Sequence, residues 1–247
     1  MRIVRTLSVI LVAAGLLLSH APAQASNANL YVYLVRHGQS VANATGLQSG
    51  WSPTPLTPLG QRQATAIGKK LKFVDFTAAY SSGSVRSVDT LAAVLASRTS
   101  SLTAQVDPSF REWGVGFFDE KPASVAQAAE AKVLKTTTAN LWKFTDAQRF
   151  DALAKADPSK QTENWLQFKT RILRGIANLK SANPSGQVLV VSHGYVIKHL
   201  IKLLTGSYTS LPIKNTTVTV LEYTRGRWIL KQGPTLSPKV YGAVLTQ

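Results

Sequence analysis

The sequence predicts a three-layer α/β domain built on a mostly parallel sheet, and three observations carry that prediction. Up to about residue 110, short apolar runs alternate with helical patterns, an order that gives parallel strands joined by crossover helices. Two runs, Val32-Tyr33-Leu34-Val35 and Gln187-Val188-Leu189-Val190-Val191-Ser192, lack the polar alternation of a half-exposed strand, so helices should cover both of their faces. Each stops abruptly, the first on Arg36-His37-Gly38 and the second on His193-Gly194. That puts both imidazoles at strand ends, where open α/β sheets bind ligands.

Ahead of the first strand, Arg2 and Arg5 precede a mostly apolar run, Leu7 to Leu18, shorter than the roughly 20 residues a membrane span needs. Ala23-Gln24-Ala25 supplies a small-x-small cleavage site. Residues 1–25 therefore read as a signal peptide, with a mature chain from Ser26 that is secreted or held at the cell surface. Residues 26–247 are long enough for one large domain, and no low-complexity linker divides them.

After the first strand, Asn43 to Pro58 is a Gly/Ser/Thr/Pro-rich loop containing Trp51. Thr57 fits as the N-cap, and Pro58 as the first residue, of a helix running to Leu71. Phe76 to Ser82 is a short buried strand with Ser82-Gly83-Ser84 as its exit turn. Val85 to Ala96 follows as a helix with Val85, Val88, Leu91, Ala92 and Leu95 on one face. The rhythm breaks over residues 121–160, which read as part of a helical cap inserted between 117 and 160 and lying over the site. A helix from Glu163 to about Lys180 then presents Trp165, Phe168, Ile172, Ile176 and Leu179 at helical spacing. Beyond the second histidine-ended strand come a helix, Val196 to Leu204, and a terminal hairpin from Thr216 to Lys231 turning at Arg225-Gly226.

The chain has no cysteine, which excludes disulfides and thiolate metal sites. It carries 28 Lys and Arg against 12 Asp and Glu, a formal net charge of +16. So basic a protein suits anionic partners: phosphorylated small molecules, wall polymers, or an anionic cell surface. Neither Cys/His finger spacing nor an aromatic RNA-binding signature accompanies the charge, so no specific nucleic acid is predicted.

Of four histidines, His20 would leave with the signal peptide, and two of the remaining three directly follow buried strands. His199, in the helix after His193, reads as structural. Arg36-His37-Gly38-Gln39-Ser40 followed by Asn43 resembles the signature of the histidine phosphatase superfamily, also called the phosphoglycerate mutase-like family. Further landmarks fit in order: Gln48-Ser49-Gly50-Trp51, Leu56-Thr57-Pro58-Leu59-Gly60, Ser81-Ser82-Gly83-Ser84-Val85-Arg86, Phe110-Arg111-Glu112-Trp113-Gly114, and Ser192-His193-Gly194. The resemblance implies a metal-independent phosphomonoesterase of the phosphatase branch, acting through a phosphohistidine without a cofactor.

Phosphoryl transfer needs fixed cationic donors around the equatorial oxygens and a nucleophile in line with the leaving oxygen. On that logic Arg36 and Arg86 offer planar forks, His193 a donor if protonated, and Asn43 an amide hydrogen, with Gly194 beside them at the substrate. His37 is the candidate nucleophile and Glu112 the general acid and base, Asp119 and Glu120 being alternatives for that role. Asp89, Phe118-Asp119-Glu120 and Tyr195 depart from the family pattern without removing a needed group. Tyr195, Trp51 and the cap suggest a flat or aromatic leaving group. The rival readings are a phosphoglycerate-type mutase and a catalytically idle module that binds a polyanion.

Overall fold

A computed structural model describes residues 29–99, 101–207 and 212–241; the expected signal peptide and its cut after Ala25 lie outside the described residues. Six strands form one sheet in the order β3-β2-β4-β1-β5-β6: β1 (Leu30–Arg36), β2 (Ala78–Ser81), β3 (Ala104–Val106), β4 (Gly186–Ser192), β5 (Val218–Thr224) and β6 (Arg227–Thr235). The β3-β2, β2-β4 and β4-β1 pairings are parallel, while β5 and β6 add antiparallel edges beyond β1. The sheet is thus mixed, with the expected parallel majority.

Both central strands are buried on two faces. Val32 and Leu34 of β1 and Val188 and Val190 of β4 pack with Phe168, Ile172 and Ile176 of α6 (Trp165–Ala182) and Val196, Ile197 and Leu200 of α7 (Gly194–Thr205). Their alternates, Tyr33, Val35, Leu189 and Val191, pack with Ile67 and Leu71 of α2 (Pro58–Leu71) and Leu91 and Val94 of α3 (Val85–Leu95). This period-two division makes three layers out of uninterrupted apolar runs. At about 1.5–3 kcal/mol for each fully buried large aliphatic side chain, these strands are the thermodynamic centre of the fold.

After the short helix α1 (Val41–Thr45), local signals are met closely at α2, where the Thr57 hydroxyl accepts from the Gly60 amide at 3.0 Å and Pro58 opens the helix. The hairpin turn also stands where expected, Arg225 (φ 48°) and Gly226 (φ 80°) both adopting the left-handed backbone that a two-residue turn requires. β6, however, runs to Thr235, four residues past the Lys231 expected from its apolar pattern. The face assigned to α3 is also corrected. Val85, Val88 and Ala92 point outward, and the helix buries Arg86, Ser87, Thr90, Leu91 and Val94. Its first turns face a polar site rather than the core, so the buried stripe there is hydrophilic.

Between β3 and α6 lie α4 (Ala123–Val133), a 3-10 turn (Thr138–Lys143) and α5 (Asp146–Ala156). These two helices reach the mouth of a cavity at the carboxyl ends of β1 and β4. The β1-β4 register pairs Arg36 with Ser192, so the residues next in each chain, His37 and His193, emerge side by side. The chain leaves β1 toward β2 on one side of the sheet and leaves β4 toward β5 on the other, which opens the crevice between them. Among the described residues no helix is long and apolar enough to cross a membrane.

Candidate active site

The cavity, of about 400 Å³, is lined at its reactive end by Arg36, His37, Asn43, Glu112 and Gly194. Arg86 and His193 stand immediately behind, both fully buried, and the His37 and His193 rings lie 5.1 Å apart. The structure therefore brings together all seven residues singled out in the sequence.

Two glycines set the entry to this end. A Cβ on Gly38 would stand 2.5 Å from the Gly60 carbonyl oxygen, and one on Gly60 would stand 2.1 Å from that of Gln39. The loop after β1 thus lies directly on the first turn of α2, an approach only glycine permits. The Gly38 amide donates to the Thr90 hydroxyl (3.0 Å), tying the same loop to α3.

His37 is buried, and its Nδ1 lies 2.7 Å from the Gly38 carbonyl oxygen. A carbonyl only accepts, so Nδ1 carries the proton and Nε2 keeps its lone pair. Burial, then the Arg86 and Arg36 charges, hold the imidazole pKa well below the usual histidine value, which keeps it neutral and nucleophilic.

At His193 the opposite nitrogen is engaged: Nε2 lies 2.7 Å from the Ser82 hydroxyl, and Nδ1 is buried without a partner. Ser87 donates to the Ser84 carbonyl (2.8 Å), so its oxygen can accept from Ser82 (2.8 Å), and the Ser82 hydroxyl stands between Ser87 and His193 Nε2. Burial and the charges of Arg86 and Arg36 also push this pKa down. His193 thus has Nδ1 available as the further donor wherever that nitrogen carries a proton.

The two arginines differ as well. Arg36 donates through a terminal nitrogen to the Ile213 carbonyl. A Cβ on Gly194 would lie 3.8 Å from Arg36 Nε and 3.9 Å from Glu112 Oε2, so these three residues face one small space. Arg86 spends its terminal nitrogens on the carbonyls of Ser49, Gly50 and Ser52. Its planar fork clamps the loop, and only Nε is left unpartnered.

Asp119 holds the other side of that loop, accepting from the amides of Gly50, Trp51 and Ser52 at 2.8–2.9 Å and from the Ser52 hydroxyl. It is a loop clamp, and Glu120 is exposed. Of the three acids weighed for proton transfer, only Glu112 lines the cavity. Its oxygens accept from the amides of Trp113 (2.9 Å) and Tyr195 (3.3 Å).

Several supporting residues were not anticipated. Asn215 donates to the His37 carbonyl (2.9 Å) and to Asn43 Oδ1 (3.1 Å), which turns the Asn43 amide group outward. Arg171 donates to the carbonyls of Ser109, Arg111 and Glu112 and grips Glu163 with two bonds of 2.7 and 2.6 Å. Glu163 in turn accepts from the Gly114 amide (2.9 Å), so the pair holds the Glu112 segment at both ends. Trp51, read from the sequence as one of the groups favouring a flat leaving group, does not line the cavity; its indole donates to the Glu112 carbonyl (2.9 Å). His199 is buried among Phe150, Trp165 and Phe168, as a structural histidine would be. Among the described residues no group of three or more potential ligands is spaced to hold a metal ion.

A family model described as the histidine phosphatase superfamily (branch 1) matches residues 32–233. A crystal structure of phosphoglycerate mutase from Bacillus anthracis is 31% identical and superposes with a TM-score of 0.80, over 86% of this chain and 96% of that one. A putative alpha-ribazole-5'-P phosphatase from Escherichia coli is 25% identical with a TM-score of 0.70, over 86% and 99%. A probable phosphoglycerate mutase of Yersinia pestis (strain Pestoides F) is 25% identical over 204 residues, 81% of this chain and 88% of its own.

Proposed function

Because the chain belongs to the histidine phosphatase superfamily (branch 1), we propose that it is a phosphomonoesterase that carries the phosphoryl group on Nε2 of His37. The observation behind this reading is a set of three buried nitrogens without partners, Arg36 Nε, Arg86 Nε and His193 Nδ1, beside one neutral imidazole whose Nε2 is free. Buried polar nitrogens left unpaired are costly, and with a proton on His193 Nδ1 a phosphate group is the ligand whose several oxygens would satisfy all three.

In the first step the Nε2 lone pair of His37 attacks phosphorus. The ester P–O bond breaks, and Glu112 gives its proton to the departing alkoxide oxygen. In the second, water attacks phosphorus, the Glu112 carboxylate takes the proton from water, and the P–N bond breaks to release phosphate and neutral His37. Arg36, Arg86, His193 and the Asn43 amide meet the equatorial oxygens, and Gly194 lets them approach the amino end of α7. No metal or cofactor is needed for this balance.

We place the enzyme outside the cytoplasm, on the strength of the leader-like residues 1–25; β1 starts at Leu30, so a cut after Ala25 spares the fold. Its basic surface would hold it near anionic polymers. The test is phosphate release from 4-nitrophenyl phosphate by the chain from Ser26, with chelator present and His37→Ala as control. Turnover that survives chelation and vanishes in the variant supports the reading; turnover abolished by chelator contradicts it. Glu112→Gln should lose roughly 10²–10⁴-fold on an alkyl phosphate and less on 4-nitrophenyl phosphate, whose leaving group needs no proton.

The mutase reading draws on the name of the Bacillus anthracis neighbour. It requires rapid isomerisation of a phosphoglycerate primed by its bisphosphate, with slow phosphate release.

A further inference from the structure

Beyond the reactive end the cavity passes between α4, α5 and α7, and the groups there limit which alcohol it fits. Two rings reach this wall, Trp113 and the 38%-exposed Tyr195. Trp113 is buried, stacked on Phe150 at 3.8 Å and flanked by Tyr195 at 5.6 Å; Tyr195 lies parallel to His199 at 5.9 Å.

The cations here are partly engaged. Arg149 Nε pairs with Glu130 Oε2 at 2.7 Å, and Lys198 Nζ lies 4.0 Å from Asp146 Oδ1, a carboxylate that Lys202 and His199 also approach.

What this side does offer is directional hydrogen bonding in both senses. Glu130 presents acceptor lone pairs, Arg149 and Gln127 present N–H donors, and all three line the cavity. The Tyr195 phenol, its pKa pushed up to about 12 by burial, keeps its proton. Beside them Leu47, Val115 and Ile213 supply an apolar wall. A carboxylate held by an arginine, with an apolar surface alongside, matches the alternating hydroxyl groups and C–H faces of a carbohydrate.

We propose that the cap side of this cavity is a subsite for a hydroxyl-rich leaving group, with neighbouring hydroxyls bridging Glu130 and Arg149. The natural substrate is then a phosphate monoester of a sugar or polyol. The proposal rests on the phosphomonoesterase reading and adds the alcohol to it.

The experiment compares glucose 6-phosphate with hexyl phosphate, 3-phosphoglycerate and 4-nitrophenyl phosphate as substrates of the chain from Ser26. It also measures binding of the first three to the His37→Ala protein, which does not turn over. Glucose 6-phosphate should exceed hexyl phosphate in kcat/KM and in affinity by about tenfold or more, the scale of one or two hydrogen bonds to charged groups. Glu130→Gln, and separately the paired exchange Glu130→Met with Arg149→Met, should collapse that ratio. Preference for hexyl phosphate or 3-phosphoglycerate, or an equal loss on every ester in Glu130→Gln, would overturn the subsite. Failure to release phosphate even from 4-nitrophenyl phosphate would instead sink the phosphatase reading, while the binding ratios would still judge the subsite.

Discussion

His37 and His193 have nearly the same local history, each following a buried strand and preceding a glycine, yet they meet the cavity through different nitrogens. The Gly38 carbonyl fixes the proton of His37 on Nδ1 and leaves Nε2 a lone pair. The serine cluster engages His193 at Nε2 and leaves Nδ1 without a partner. One acceptor one residue away fixes the proton of His37; the hydroxyls of the neighbouring β2 exit turn take up the other nitrogen of His193. The hydrogen-bond partner of one nitrogen thus decides which nitrogen a histidine leaves for the site, something its own sequence neighbourhood does not.

The largest test of that difference is removal of each ring. His37→Ala should cost on the order of a thousandfold or more in kcat, because the covalent step has no substitute. His193→Ala should cost about a hundredfold, the scale of losing one donor to a developing charge, and should still form the phosphoenzyme. Equal losses, with no phosphoenzyme in either variant, would erase the distinction.

Acid stability tests what the two rings share. Both have folded pKa values below the unfolded value of about 6.5, so the unfolded chain binds protons that the folded chain does not. Their contribution is fully present above that pH and is lost as pH falls beneath it. The expected slope is about 1.4 kcal/mol per pH unit for each histidine. Denaturant midpoints measured downward from neutral pH check it; stability that stays flat below about pH 6 would mean the rings are charged. The smallest effect is expected from Ser82→Ala, which releases the His193 ring from its hydroxyl partner and should lower kcat about fivefold, the worth of one neutral hydrogen bond. A rise in kcat would contradict a positioning role for Ser82.

What could be read from sequence divides along the same line. The Thr57-Pro58 cap, the Arg225-Gly226 turn and the two histidine-ended strands depend on residues next to one another, and all four stand where local rules put them. The buried stripe of α3 was misplaced because apolar periodicity is blind to a helix end that faces a polar site. Arg86 was recognised, but the use of its terminal nitrogens depends on a loop more than thirty residues earlier in the chain. Asn215 and Arg171 left no local mark either. Asn215 reaches His37 because β5 runs antiparallel to β1, and Arg171 reaches the Glu112 carbonyl across the α6 surface. The signal available for Asn215 was its place just before a strand expected at the sheet edge; for Arg171 there was none.

The most direct measurement is to quench the reaction within its first turnover and locate phosphorus on the protein by mass spectrometry and phosphorus NMR. An acid-labile, base-stable phosphoryl group on Nε2 of His37, absent from His37→Ala and present in His193→Ala, is the predicted result. Phosphorus on His193, on Ser82 or on Nδ1 of His37 would contradict it.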